Sequence, residues 1–253
     1  MLFRSPVDFP RRLSDTGLFA STKDHRPAAG LIAYDVNAPG WADGAEAERF
    51  IGLPGDATIG YAESRGWNFS NGTALVQTLW LGPEKTAAEA RQRLETRVML
   101  RQDGQWAAYS YRWNEAQTDA LLVEKSGADV TVNVAQPDGT SRRQAWRIPS
   151  RAECLTCHSR AVNYVLGLSE PQMNRPFRTA GIEENQRTAL IRLGVLTGVG
   201  NPPPASAPAG CPVDLAAAKS QAVRPPLATM SLRSSGSLCL SKICCRFASG
   251  LAS

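Results

Sequence analysis

Two cysteines and a histidine within five positions are the residues of this chain best suited to chemistry. Cys154 and Cys157 are separated by two residues, and His158 follows at once. On a helix, positions i, i+3 and i+4 share one face. Two thiols on that face can bond to the vinyl groups of a porphyrin while the imidazole reaches its iron. The spacing therefore predicts covalent attachment of one c-type haem, with His158 as the proximal iron ligand.

Two other sites use the same cysteine spacing. A thioredoxin-like redox pair and half of a zinc site both place two residues between their cysteines, but neither needs the adjacent histidine. A zinc site needs four ligands, and the only other histidine, His25, lies far upstream. A thioredoxin motif should follow a strand in a βαβ unit, and the sequence before Cys154 lacks that pattern. Haem attachment is the favoured interpretation.

The sixth iron position has several candidates. Met173 lies fifteen residues beyond His158, and methionine ligation raises the potential, as an electron carrier requires. The alternative is that Met173 fills the core. His25 is another candidate, but it lies in a polar segment typical of a solvated histidine. If no side chain occupies the sixth position, the open iron site would favour gas binding or peroxide chemistry. Arg160, beside the motif, is a candidate partner for a haem propionate.

Composition sets the broad class of the protein. The chain has 253 residues, 43% of them hydrophobic and 20% charged, which is typical of a globular protein of one or two domains. No stretch is apolar enough to predict a transmembrane segment. Much of the net charge of +5 comes from residues 201–253, which hold five basic residues and one acidic residue. Because no basic stripe is interleaved with aromatics, we expect no nucleic-acid binding.

The first part of the chain is predicted to be rich in β-structure. All six tryptophans lie between Trp41 and Trp146, in a region of alternating apolar and polar residues. Asp103 and Gly104 predict a tight hairpin turn. The strands expected are residues 73–81 (a central strand), 96–101 and 106–113 (the hairpin), 120–124, 130–134 and 142–148. We therefore expect an α+β fold, with a lead-in over 1–29 and a sandwich-like domain over 30–149.

A small helical, cytochrome c-like haem segment is expected over residues 150–200. Ser150 and Glu153 form a capping-box pattern that opens a helix bearing the cysteines. A second helix is predicted from Ile182 to Leu193, with Gly194 near its end. Two short helices make a minimal haem module, so the β-rich domain is expected to cover part of the macrocycle.

The two ends of the chain carry separate expectations. Residues 201–253 are rich in proline and serine and hold four of the six cysteines without a histidine, which predicts a disordered or aberrant tail, such as a translation in a shifted reading frame. Residues 1–13 contain no apolar signal-peptide core. Bacterial haem c is attached outside the cytoplasm, so we expect a leader that this chain does not show.

Two polar clusters are weaker site candidates. Carboxylates and an amide between Asp35 and Glu48 offer oxygen ligands for Ca²⁺ or a substrate hydroxyl, but their spacing matches no calcium loop. A structural role is favoured for them. The polar and aromatic residues from Trp113 to Asp119 are suited either to lining a cleft or to building a turn.

The chain from about residue 13 to 198 resembles a group of exported bacterial c-type cytochromes, often di-haem, with a β-rich region ahead of the first haem motif. The resemblance rests on several segments and residues: Gly30 to Pro39; Trp67, Phe69, Asn71, Gly72 and Thr73; Glu95 to Arg97; Tyr111 to Asn114; Gln117 to Asp119; Pro149 to His158; and Met173 with Asn174. It implies periplasmic electron transfer, with dehydrogenases or other cytochromes as redox partners. A second haem motif, usual in that group, is missing here. The alternative is a haem-dependent oxidoreductase subunit, or a peroxide or gas sensor, whose β-rich domain binds a substrate.

Overall fold

The computed structural model describes residues 9–82, 91–136, 138–179 and 182–200. Its strands are β1 (Phe19–Ser21), β2 (Arg26–Pro27), β3 (Ile32–Tyr34), β4 (Glu46–Gly52), β5 (Ile59–Gly60), β6 (Ala74–Leu81), β7 (Gln92–Gln102), β8 (Gln105–Trp113), β9 (Ala120–Leu122), β10 (Ala128–Ala135), β11 (Ser141–Ile148), β12 (Pro176–Thr179), β13 (Ile182–Asn185) and β14 (Leu196–Thr197). Its α-helices are α1 (Arg151–Cys157), α2 (Glu170–Met173) and α3 (Gln186–Arg192), and single 3-10 turns occupy Leu13–Thr16 and Arg160–Val162.

Six strands form one antiparallel sheet in the order β3-β4-β6-β7-β8-β9. The predicted central strand is confirmed: β6 lies between β4 and β7, and both of its faces are largely buried. The hairpin of β7 and β8 is also confirmed. Its turn residues have positive φ angles, 48° at Asp103 and 76° at Gly104, as a two-residue hairpin turn requires.

The expected sandwich is not the arrangement of the described residues. Their remaining strands form four two-stranded sheets rather than a second large sheet. The β10–β11 hairpin shows why, since the residues of β11 up to Gln144 are polar and mostly exposed. Only one of its faces is apolar, and that face, with Val134, Trp146 and Ile148, packs on Leu79 and Leu94 at one end of the large sheet. The described part of the chain is therefore β-rich but does not form a paired-sheet sandwich.

The large sheet has a different covering on each face. Leu75 and Met99 point to the face where residues 150–200 pack, through Val165, Leu168 and Leu190 among others. Alternate residues such as Val76 and Val98 point to the opposite face, where the N-terminal segment packs through Leu13 and Phe19. This division places the cysteine–histidine motif over one defined face of the sheet.

The segment after Pro149 confirms one helix prediction and corrects the other. The capping box is present: Ser150 Oγ accepts from the Glu153 amide at 3.1 Å, and Glu153 Oε2 accepts from the Ser150 amide at 2.6 Å. The prediction of a single helix over 182–193 is wrong in its first part, because Ile182–Asn185 is β13, paired with β12. Asn185 then caps α3, and Gly194 follows with a φ of 68°.

None of the helices in the described ranges is long and apolar enough to cross a membrane. The predicted tail, 201–253, lies outside the described residues.

Candidate functional site

The cysteine–histidine motif lies at a cavity of about 400 Å³ between the large sheet and the segment that covers it. The sheet wall includes Leu75, Gln77, Met99 and Ala108, and the covering segment contributes Val165 to Leu168. Cys154, Cys157 and His158 all line this cavity. The structure thus gathers the three predicted haem-attachment residues around one largely apolar space of the size that ligand pockets have.

Helix α1 sets the two thiols at different depths. Cys154 is half-buried and packs against the core beneath the cavity, whereas Cys157, one turn later, is exposed. Both thiols are free. Burial raises the pKa of Cys154, which favours the uncharged thiol. The capping box fixes where the helix begins, so it also fixes which face carries both sulfurs.

His158 is held in one tautomer by a backbone carbonyl. Its Nδ1 lies 2.8 Å from the carbonyl oxygen of Tyr164, and because a carbonyl can only accept, Nδ1 carries the hydrogen. The other ring nitrogen, Nε2, has no hydrogen-bond partner among the described residues. Burial lowers the pKa of His158 and outweighs the opposing effect of the Tyr164 carbonyl. The lowered pKa favours the neutral imidazole, and with the hydrogen on Nδ1 its lone pair is on Nε2, which is the form that binds metals.

The loop that presents the Tyr164 carbonyl is unusual in its backbone. Asn163 and Tyr164 both have positive φ angles, 52° and 64°, and such a conformation persists only where surrounding contacts hold it. Asn163 Nδ2 supplies these contacts, donating to the carbonyls of Gly66 at 3.1 Å and Trp67 at 3.0 Å. The carbonyl that orients His158 is thus anchored to the β-rich part of the chain.

Two arginines of the sheet, each paired with a carboxylate, lie at the cavity wall. Arg49 on β4 and Arg97 on β7 both line the cavity. Arg49 Nη1 lies 2.9 Å from Asp35 Oδ1, and Arg97 pairs with Glu95 through its Nε and Nη2. Glu95 is fully buried, and one of its carboxyl oxygens has no partner in the described part of the chain. Burial raises the pKa of Glu95 despite the neighbouring Arg97.

Three of the residues predicted as site candidates lie away from this cavity. Met173 is fully buried in the core, where its sulfur accepts from Gln186 Nε2 at 3.6 Å. His25 lies on the opposite face of the sheet, bonded to Thr78 at 3.0 Å and to Glu48 at 2.9 Å. Arg160 is exposed and is not part of the cavity lining. The structure brings together the three predicted haem-attachment residues but places none of these three in the cavity lining.

The two polar clusters play structural roles in the described residues. Asp35 bridges Arg49 and Arg175, at 2.9 and 2.8 Å, and so ties β4 to the covering segment. Asn114 and Asp119 close the turn between β8 and β9 through a backbone hydrogen bond of 3.0 Å. No group of three or more His, Cys, Asp or Glu side chains in the described ranges is arranged to hold a metal ion.

Several cavity residues were missed by the sequence reasoning: Tyr34, Trp41, Arg49, Arg97 and Met99. Trp41 is 85% exposed, which leaves a large apolar side chain at the cavity rim. Because side chains alternate along a strand, the sequence of β4 shows which residues share a face with Arg49, and that of β7 does the same for Arg97 and Met99. The alternation does not show on which face of the sheet the covering segment packs.

No protein-family model, curated protein or solved structure matches this chain.

Proposed function

We propose that this chain is a c-type cytochrome, which binds one haem covalently and transfers electrons. The observation that carries the proposal is the position of His158, whose Nδ1 is fixed by the Tyr164 carbonyl at a cavity that both thiols also line. Metal-bound histidines characteristically donate their second ring nitrogen in this way, because the hydrogen bond fixes the ring and strengthens it as a ligand. A redox-active cysteine pair does not require a histidine fixed in this way.

The residues around the cavity fit a haem in two respects. The half-buried Cys154 and the exposed Cys157 are both free to form thioethers, with each S–H adding across one vinyl double bond and no oxidant needed. Leu75, Ala108 and Leu168 offer apolar surface to a macrocycle. When bound, the haem supplies an iron that takes up and releases one electron, while the chain orients the iron ligand and excludes water from it.

The charged wall fits the carboxylates of the same cofactor. Arg49 is only 10% exposed along its side chain, and guanidinium groups bind carboxylates with two parallel hydrogen bonds. We assign this role to Arg49 and Arg97 rather than to the exposed Arg160. Arg49→Gln should lower the haem content of the purified protein, whereas Arg160→Gln, the matched control, should leave it unchanged. Equal haem contents in the two variants would refute the assignment.

The remaining parts of the proposal follow from the cofactor. Residues 150–200 act as the cytochrome c-like haem segment, and the β-rich domain is its scaffold. Haem c is attached outside the bacterial cytoplasm, so we place the mature protein in the periplasm, among the exported cytochromes that its sequence resembles. Its partners are other redox proteins, such as a dehydrogenase or a second cytochrome.

The test is a spectrum of the protein made with a leader in a host that matures cytochromes. Heating in alkaline pyridine should give the absorbance of haem c, at one haem per chain. Cys154→Ala combined with Cys157→Ala should abolish retention of haem in denaturant, because both thioethers are lost. Thr156→Ala, a change at an exposed position between the two cysteines, is the control and should retain it. A colourless parent protein would refute the proposal.

A further inference from the structure

We infer that Met99 provides the sulfur that binds the haem iron on the side opposite His158. This inference rests on the proposed function and names the residue that completes the iron coordination. Met99 is at the middle of β7, paired with Leu75 on β6 and Ala108 on β8. It lines the same cavity as His158 but belongs to the sheet wall, whereas His158 belongs to the segment that covers the wall. A haem bound in this cavity would therefore have both side chains in its lining.

The other soft or imidazole ligands of the described chain lie elsewhere. The sulfur of Met173 is in the core and accepts a hydrogen bond from Gln186. Both ring nitrogens of His25 have partners on the far face of the sheet, Thr78 and Glu48. Among the described residues that line the cavity, Met99 is the only one with a thioether.

The oxygen ligands at the cavity are poorly suited to iron. Burial raises the pKa of Tyr34 to about 12, and a phenol binds iron well only after it loses its proton. The carboxylate of Glu153 is already engaged by Arg147 at 2.9 Å and by the amide of Ser150. A thioether needs no deprotonation, so burial does not weaken it as a ligand.

The position of Met99 also suits an electron carrier. The Met99 residue is 7% exposed, and its strand is hydrogen-bonded to a neighbouring strand on each side. The sheet therefore holds the Met99 backbone in place in both oxidation states of the iron. Methionine paired with histidine raises the potential of haem iron. A ligand from a rigid strand would also keep the sixth position closed to water and to small molecules.

The test compares two methionine-to-leucine variants of the matured protein. Leucine preserves the volume of methionine and is well tolerated in protein cores, but it lacks the sulfur. In Met99→Leu we expect loss of the long-wavelength sulfur-to-iron absorption band of the oxidised protein, and at least tenfold faster binding of carbon monoxide to the reduced protein. In Met173→Leu both properties should match the parent protein.

The outcomes separate this inference from the proposed function. A band that survives in Met99→Leu, disappears in Met173→Leu, or is absent from the parent protein overturns the assignment of Met99. If the alkaline pyridine spectrum still shows haem c in those samples, the proposed function stands and only the ligand assignment fails. Failure of the proposed function itself would appear as the absence of haem from the parent protein.

Discussion

Substituting Gly66 by alanine should loosen the loop that orients His158. A methyl group at Gly66 would meet the carbonyl oxygen of Val162 and would lie 2.6 Å from Val165 Cγ2 and 3.1 Å from the Val165 carbonyl oxygen. The two backbone oxygens cannot rotate away as a side-chain end would. The loop at residues 162–165 must therefore move, and it carries the Tyr164 carbonyl that accepts from His158.

The size of the effect can be worked out from these contacts. Overfilling a packed site costs about 1–3 kcal/mol, and restricting the unfolded chain by replacing glycine with alanine returns about 0.4–1 kcal/mol. If the loop shifts, the two hydrogen bonds from Asn163 to Gly66 and Trp67 weaken, at about 1 kcal/mol each. We expect a net loss in unfolding free energy of about 3 kcal/mol.

Urea denaturation of the matured protein, followed by far-ultraviolet circular dichroism, measures this loss. The matched control is Gly40→Ala, since a methyl group there meets nothing within 4 Å and should change stability by no more than about 0.5 kcal/mol. The account of the loop would be refuted if Gly66→Ala and Gly40→Ala unfolded at the same urea concentration with equal slopes.

Two further predictions concern stability alone. Bonds from Arg147 and the capping box lower the pKa of Glu153 to about 2, so its carboxylate stabilises the fold above the ordinary pKa near 4.5 and loses this effect as the pH falls towards 2. Glu153→Gln should therefore lower the free energy of unfolding near neutral pH but not near pH 2, as urea denaturation across this pH range will show. A loss of stability that does not change with pH would contradict this prediction. Thr96→Val should lower the free energy of unfolding by about 2 kcal/mol. In the parent protein Trp113 Nε1 donates to Thr96 Oγ1 at 3.0 Å, and valine leaves this buried donor without a partner. Thr131→Val, at an exposed strand position, is its control in the same assay, and equal midpoints would count against the prediction.

Local signals in the sequence predicted the parts of the fold that local interactions decide. Asp103 and Gly104 favour positive φ wherever they occur together, so the β7–β8 hairpin was predictable. The capping box of Ser150 and Glu153 joins residues only three apart and identified the start of α1. Because Cys154 and Cys157 lie three residues apart on this helix, their position on one helix face was also predictable.

Longer-range pairing explains what the sequence did not reveal. The apolar spacing of residues 182–193 suits a helix throughout, but Ile182–Asn185 gains a strand partner in Pro176–Thr179, and tertiary pairing outweighs weak helix propensity. Met99 looked like an ordinary strand residue. Only the packing of residues 150–200 on its face of the sheet puts it at the cavity. The same packing draws Met173, the nearer methionine in sequence, into the core.

The most direct test of the central claim is the mass of the segment that contains Cys154 and Cys157. The exported protein, purified from a cytochrome-maturing host, is digested with trypsin under denaturing conditions. We predict that the peptide spanning these residues carries the added mass of one haem, bonded to both sulfurs. A peptide with the mass of the unmodified polypeptide would contradict the account.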